Sequence, residues 1–190
     1  MISKFLTEYM IDVNIISEDD KSIIQYGIYG LISTFFNIAT ILVIGAYYQC
    51  IVESILFTIV FYFLRIYAGG YHAKTSGRCY LFSVLITFFN FGIIHRLRLE
   101  FITLTLIFMA ASVIIFLTSP MDSTNKPLDT IEKEVYRKKS RITIFISIIL
   151  YFIFFFLKIY PVCWAISIAY ANVGILLTLS AMKKQLTLHL

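Results

Sequence analysis

Two side chains between residues 65 and 79 could carry out covalent chemistry. His72 can act as a general base and Cys79 as a nucleophile, and they lie seven positions apart. A thiolate is favoured by electropositive surroundings, which three basic residues of the same stretch supply: Arg65, Lys74 and Arg78. By itself the pair is weak evidence, because most cysteines in apolar chains are small packing residues.

The local sequence strengthens the catalytic interpretation. Gly69 and Gly70 allow a tight turn that could bring His72 back towards the sulfur of Cys79. If Gly77 ends this loop and a helix begins near Cys79, the helix dipole favours the thiolate. We expect no metal site, because one Cys and one His are too few ligands, and no cofactor.

Composition places this stretch in a membrane protein. Of the 190 residues, 59% are hydrophobic and only 14% are charged, and the mean hydropathy is +0.86. Such a chain is too apolar for a soluble domain of this length. The net charge of +5 is explained by basic residues on a cytoplasmic face, so we expect no nucleic-acid partner.

The sequence predicts an all-α polytopic membrane protein forming a single membrane domain over residues 1–190. Within residues 1–20, apolar positions at helical spacing predict an amphipathic helix on the membrane surface, or else one packed on the protein's own loops. About six membrane spans are expected, since each apolar run is near the ~20 residues that a crossing needs. They are 23–47, 50–67, 79–95, 100–119, 142–159 and 161–181.

The distribution of basic residues predicts the orientation. With six spans, all but three of the 16 Lys and Arg residues fall on the side of the termini. The exceptions are Arg96, Arg98 and Lys158. The positive-inside rule therefore places both termini, the loop 68–78 and the charged loop 120–141 in the cytoplasm of a multi-pass cell-membrane protein.

This topology separates Cys79 from the other cysteines. Cys50 and Cys163 fall near the outer ends of their spans, whereas Cys79 lies at the reducing cytoplasmic side with a histidine nearby. His95 cannot be its base, because sixteen residues along one helix amount to roughly 24 Å at ~1.5 Å per residue.

Loop 120–141 is the long polar segment of the chain. The spacing of Leu128, Ile131 and Val135 predicts a short surface helix in its second half. Its basic residues, Lys138 and Lys139 among them, either anchor the following span or bind a substrate.

The stretch from Arg65 to Cys79, in a chain with these spans, resembles the accessory gene regulator B family of quorum-sensing peptide processors. The resemblance rests on Arg65, Gly69-Gly70, His72-Ala73 and Cys79, with supporting features in the Asn125-Lys126-Pro127 loop and the span layout. It covers nearly the whole chain.

The resemblance implies a membrane-embedded cysteine endopeptidase. Its substrate would be a small AgrD-like precursor with an amphipathic leader, a central segment and an acidic C-terminal tail. The enzyme would remove the tail and close the central segment into a thiolactone or lactone. Cys79 would be the nucleophile, His72 the general base and acid, and Arg65 a supporting residue, in a homodimer. Lys74 and Arg78, with Lys138 and Lys139, could bind the tail.

The alternative function is a non-enzymatic membrane transporter or exporter of a small peptide. In that case the charged loops would steer the peptide and Cys79 would only be packed. Ionisable residues within the spans are few, which gives a mid-membrane ion route little support.

Overall fold

The computed structural model describes residues 2–69, 76–97, 100–121 and 128–188. The regular elements of this part of the chain are all helices, and it contains no β-strand, which confirms the expected all-α class. The seven helices are α1 (Ile2–Asp12), α2 (Lys21–Tyr47), α3 (Ile51–Ala68), α4 (Ser76–Leu97), α5 (Phe101–Thr118), α6 (Thr130–Phe156) and α7 (Tyr160–Leu188).

Five of these helices are long and apolar enough to cross a membrane, namely α2, α3, α5, α6 and α7. They correspond to five of the six expected spans, and the protein is a multi-pass membrane protein. The remaining expected span, 79–95, lies on α4. Within the described residues, the apolar stretch of α4 is Tyr80–Gly92, which is shorter than the other five.

The polar segment before span five is more regular than the sequence predicts. Its second half is helical, as expected, but it forms the start of α6 rather than a separate short helix. Asp129 and Glu132 form a reciprocal capping box, in which the Asp129 carboxylate accepts from the Glu132 amide at 2.6 Å. One continuous helix therefore joins the basic residues of this segment rigidly to the membrane span.

Helix α7 lies at the centre of the bundle. Of its apolar window 61% is buried, against at most 28% for the other four spans. It packs most closely on α3 and α5, where Ser167 donates a hydrogen bond to the Leu104 carbonyl at 3.2 Å. One turn further along α5, the ring of Phe108 stacks on the Tyr151 ring of α6, with centroids 4.3 Å apart. The packing of α3 against α7 fixes α3 in this bundle, and the C-terminal end of α3 leads into the stretch that contains His72.

Helix α1 turns its apolar stripe away from the protein. It packs on α2 with Ser3 and Thr7 buried, whereas Phe5 and Tyr9 remain 69% and 57% exposed. These apolar side chains therefore do not pack on the loops that the structure describes. Because an exposed apolar stripe on a short helix is best accommodated at the headgroup boundary, this arrangement fits a helix lying on the membrane surface.

Candidate active site

The end of α3 is held by Arg65 and Gly69. The Gly69 amide donates to the Arg65 carbonyl at 3.2 Å, and the Arg65 guanidinium donates in return to the Gly69 carbonyl. An arginine in the last turn also complements the partial negative charge of the helix end. Arg65 therefore fixes the position and direction in which the chain leaves α3.

Gly69 requires the backbone freedom of glycine. Its φ is 74° and its ψ is −145°, a conformation that L side chains rarely adopt. It forms an isolated parallel bridge with Met121, whose amide donates to the Ala68 carbonyl at 3.0 Å. A Cβ at position 69 would meet the Met121 carbonyl oxygen closer than real Cβ atoms approach other atoms. The start of the His72 loop is thus tied to the segment that follows α5.

Cys79 lies in the first turn of α4, which begins at Ser76. The expected helix start near Cys79 is therefore three residues too late, but the cysteine backbone is at the helix N-terminus as expected. His95 is on the same helix, sixteen residues further along, consistent with its exclusion as a base. Parts of five predicted site residues lie outside the described part of the chain: all of Gly70, His72 and Lys74, and the side chains of Arg78 and Cys79.

The other two cysteines are packing residues. Cys50 is 7% exposed and Cys163 is fully buried, and both are free thiols. Burial, together with the negative charge of Glu53, raises the pKa of the Cys50 thiol above its ordinary value. Cys50 is therefore a poor source of thiolate, since thiols raised in pKa by apolar burial are inert.

Part of the basic stretch of α6 reaches the end of α3. The Lys139 ammonium lies over the Tyr67 ring, 5.4 Å from its centroid, and the Tyr67 and Tyr136 rings are 6.3 Å apart. Lys138 and Lys139 are both exposed. Lys139 thus places a positive charge beside Tyr67, which precedes Gly69 by two positions.

Several of these contacts have only weak signals in the sequence. The glycine pair 69–70 indicates a turn, but nothing nearby identifies Met121 as its partner. The Ser119 and Ser140 hydroxyls are 2.8 Å apart and join α6 to the same segment, although serine pairs of this kind are common. Among the side chains that the structure describes, no group of three His, Cys, Asp or Glu could hold a metal.

Comparison with known proteins identifies the family of this chain. Residues 3–182 match the model of the family described as accessory gene regulator B. A putative AgrB-like protein 2 of Clostridium perfringens (strain 13 / Type A) is 30% identical over 166 residues, covering 80% of this chain and 78% of the relative. Protein FsrB of Enterococcus faecalis is 27% identical over 154 residues, covering 78% and 63%.

No solved structure matches the chain. The family model nevertheless covers almost its whole length, and five of the six expected spans, a supporting feature of the resemblance, are present as long apolar helices. The protein therefore belongs to the accessory gene regulator B family, which is linked to the processing of quorum-sensing peptides.

Proposed function

We propose that the protein is a membrane-embedded cysteine endopeptidase that matures a quorum-sensing peptide. Its substrate is an AgrD-like precursor with an amphipathic leader and an acidic C-terminal tail. The observation that supports this most strongly is family membership over residues 3–182 combined with a cysteine in the first turn of α4. Of the three cysteines in the chain, the other two are buried packing residues.

The proposed reaction uses Cys79 and His72. The imidazole accepts the Cys79 proton, and the thiolate attacks the carbonyl that joins the central segment to the tail. The C–N bond breaks, the imidazolium gives its proton to the leaving amine, and a thioester remains on the enzyme. A thiol or hydroxyl of the bound peptide then displaces Cys79, which yields a thiolactone or lactone instead of a hydrolysed acid.

Arg65 acts as a positioning residue for this chemistry. Its guanidinium is engaged with the Gly69 carbonyl at the start of the loop that contains His72. Together with the bridge from Gly69 to Met121, this contact fixes one end of the loop against the bundle. Gly69 and Gly70 provide the backbone freedom that lets His72 approach Cys79.

Basic residues on the same side of the membrane as the active-site loop attract the acidic tail of the precursor. Lys138 and Lys139 are exposed on α6 and belong to this group, as do Lys74 and Arg78 around the active-site loop. At an ionic strength of ~0.1 M such exposed charges act over about 10 Å. The termini and these loops face the cytoplasm, where the precursor is made, and two copies of the chain form a homodimer.

Co-expression with the precursor tests the proposed function. A neighbouring reading frame should encode a short peptide with an amphipathic start and an acidic end, which serves as the substrate. The Cys79→Ala and His72→Ala variants should insert normally but leave this peptide uncut, whereas Cys50→Ala should cut it. Export of uncut peptide by all variants would instead support a transporter.

A further inference from the structure

A cavity of about 470 Å³ lies between α2, α3, α4 and α7. This volume is in the range of small-molecule and cofactor sites, which span ~300–1,000 Å³. Eight of the 14 lining residues are aromatic or aliphatic, and hydroxyl, amide and guanidinium groups are interspersed. Its apolar part includes Ile41, Phe57, Phe61, Phe82, Ile86 and Leu176.

The helical register of α4 connects this cavity with Cys79. Phe82, Ser83 and Ile86 line the cavity and lie three, four and seven positions after the cysteine. Residues at these spacings share one face of an α-helix. Position 79 of α4 is therefore in helical register with these lining positions, one turn closer to the helix start.

Arg65 provides a second connection. It lines the cavity and also holds the Gly69 carbonyl at the entrance to the His72 loop. The cavity thus borders both segments from which the proposed catalytic residues arise, the end of α3 and the beginning of α4.

The amide of Asn172 indicates what the cavity should accept. Asn172 is 5% exposed and lines the cavity, and its Nδ2 has no hydrogen-bond partner within the described part of the chain. By contrast, the nearby Asn37 amide donates to the Ser33 carbonyl at 2.9 Å. A buried donor without an acceptor is unfavourable, so an occupant that supplies a carbonyl oxygen would be stabilised.

We propose that this cavity binds the central segment of the precursor, on the N-terminal side of the bond that is cut. Apolar side chains of that segment fill the aromatic and aliphatic part, and a peptide carbonyl accepts from Asn172. The acidic tail fits poorly here, because its carboxylates would lose hydration in a mostly apolar site. Holding the acyl portion in such a site also keeps water away from the thioester before ring closure. This inference rests on the proposed function of Cys79.

Chloromethyl ketones test the cavity without the natural precursor. In the full-length protein in detergent, Cys79 should be alkylated faster by N-acetyl-phenylalanyl chloromethyl ketone than by the N-acetyl-aspartyl compound. In each case the sulfur forms a bond to the methylene carbon and chloride leaves with the electron pair. The expected preference is at least about tenfold, because burying an aromatic side chain is worth that much or more. Peptide mass mapping counts only the modification of Cys79.

Ser83→Phe places a large side chain in the cavity, and Thr103→Phe is the matched control. Thr103 is exposed on α5 and outside the cavity lining. The first variant should lose the preference for the phenylalanyl compound and keep its rate with small iodoacetamide, while the control should keep both. An unchanged preference in the Ser83 variant would overturn the proposal.

Asn172→Leu gives a test that does not depend on filling space. It removes the unpartnered donor, so the thermal unfolding midpoint should rise while the concentration of phenylalanyl compound needed for half-maximal alkylation increases several-fold. A lipid chain as the occupant predicts an unchanged or lower half-maximal concentration, which would contradict the proposal.

The two proposals fail in different ways. If the phenylalanyl preference is absent while Cys79→Ala still abolishes precursor cleavage, the cavity assignment is wrong and the catalytic assignment stands. If Cys79→Ala leaves cleavage intact, the proposed function is wrong, whatever the alkylation rates show.

Discussion

Replacement of Gly69 by alanine should destabilise the end of α3 and slow peptide processing. The residue has φ 74° and ψ −145°, and a non-glycine residue in such a conformation costs about 1–3 kcal/mol. The new Cβ would also be forced against the Met121 carbonyl oxygen, which is backbone and cannot move aside cheaply. The total penalty should be about 2 kcal/mol or more if the bridge is kept.

Thermal unfolding in detergent measures this penalty. For a chain of this size, 1 kcal/mol corresponds to a shift of about 2–4 °C, so Gly69→Ala should lower the unfolding midpoint by roughly 4–8 °C. Precursor cleavage should fall as well, because the start of the His72 loop is displaced.

Gly77→Ala is the matched control for the same substitution. A Cβ at this exposed position on α4 meets nothing within 4 Å, and alanine is favoured over glycine in helices by up to about 1 kcal/mol. The thermal unfolding midpoint of Gly77→Ala should therefore equal or exceed that of the unmodified protein. If Gly69→Ala unfolds and cleaves like the unmodified protein, the tether between Gly69 and Met121 does not position the loop.

Three further results are expected. Reversing Lys138 and Lys139 to Glu should raise the apparent KM for the precursor, with kcat nearly unchanged, if these residues attract the tail; an unchanged KM in correctly inserted protein would return the segment to an anchoring role. Impermeant thiol labelling of whole cells should reach a cysteine placed at Lys158 and miss one at Ser123, and the reverse pattern would invert the orientation. Because burial raises the pKa of Cys50, its iodoacetamide reaction should accelerate only at alkaline pH, where the thiolate forms; fast modification at neutral pH would show that the thiol is not held protonated.

The sequence predicts the membrane architecture well because apolar length is a local property. Helices α2, α3, α5, α6 and α7 lie where continuous apolar runs occur. The amphipathic helix α1 could also be predicted from the sequence. The face that it turns towards the rest of the protein could not be predicted. Ser3 and Thr7 pack inward, and this choice depends on the neighbouring helix α2.

Contacts between segments that are distant in the chain could not be predicted from local sequence patterns. Gly69 signals a turn, yet its pairing with Met121 depends on how α3 and α5 each pack on α7. Lys139 reads as one member of a basic run, and only the tertiary fold places it over the Tyr67 ring. The cavity beside α4 likewise arises from four helices, and Asn172 would not be singled out from the sequence of α7 alone.

Detection of an acyl-enzyme on Cys79 tests the central claim most directly. Protein mixed briefly with precursor and quenched in acid should carry, on the peptide containing Cys79, the mass of the precursor without its tail. Hydroxylamine should release this mass because it cleaves thioesters, and His72→Ala should prevent its formation. Tail removal by the Cys79→Ala variant, or an adduct confined to Cys50 or Cys163, would contradict the assignment of Cys79 as the nucleophile.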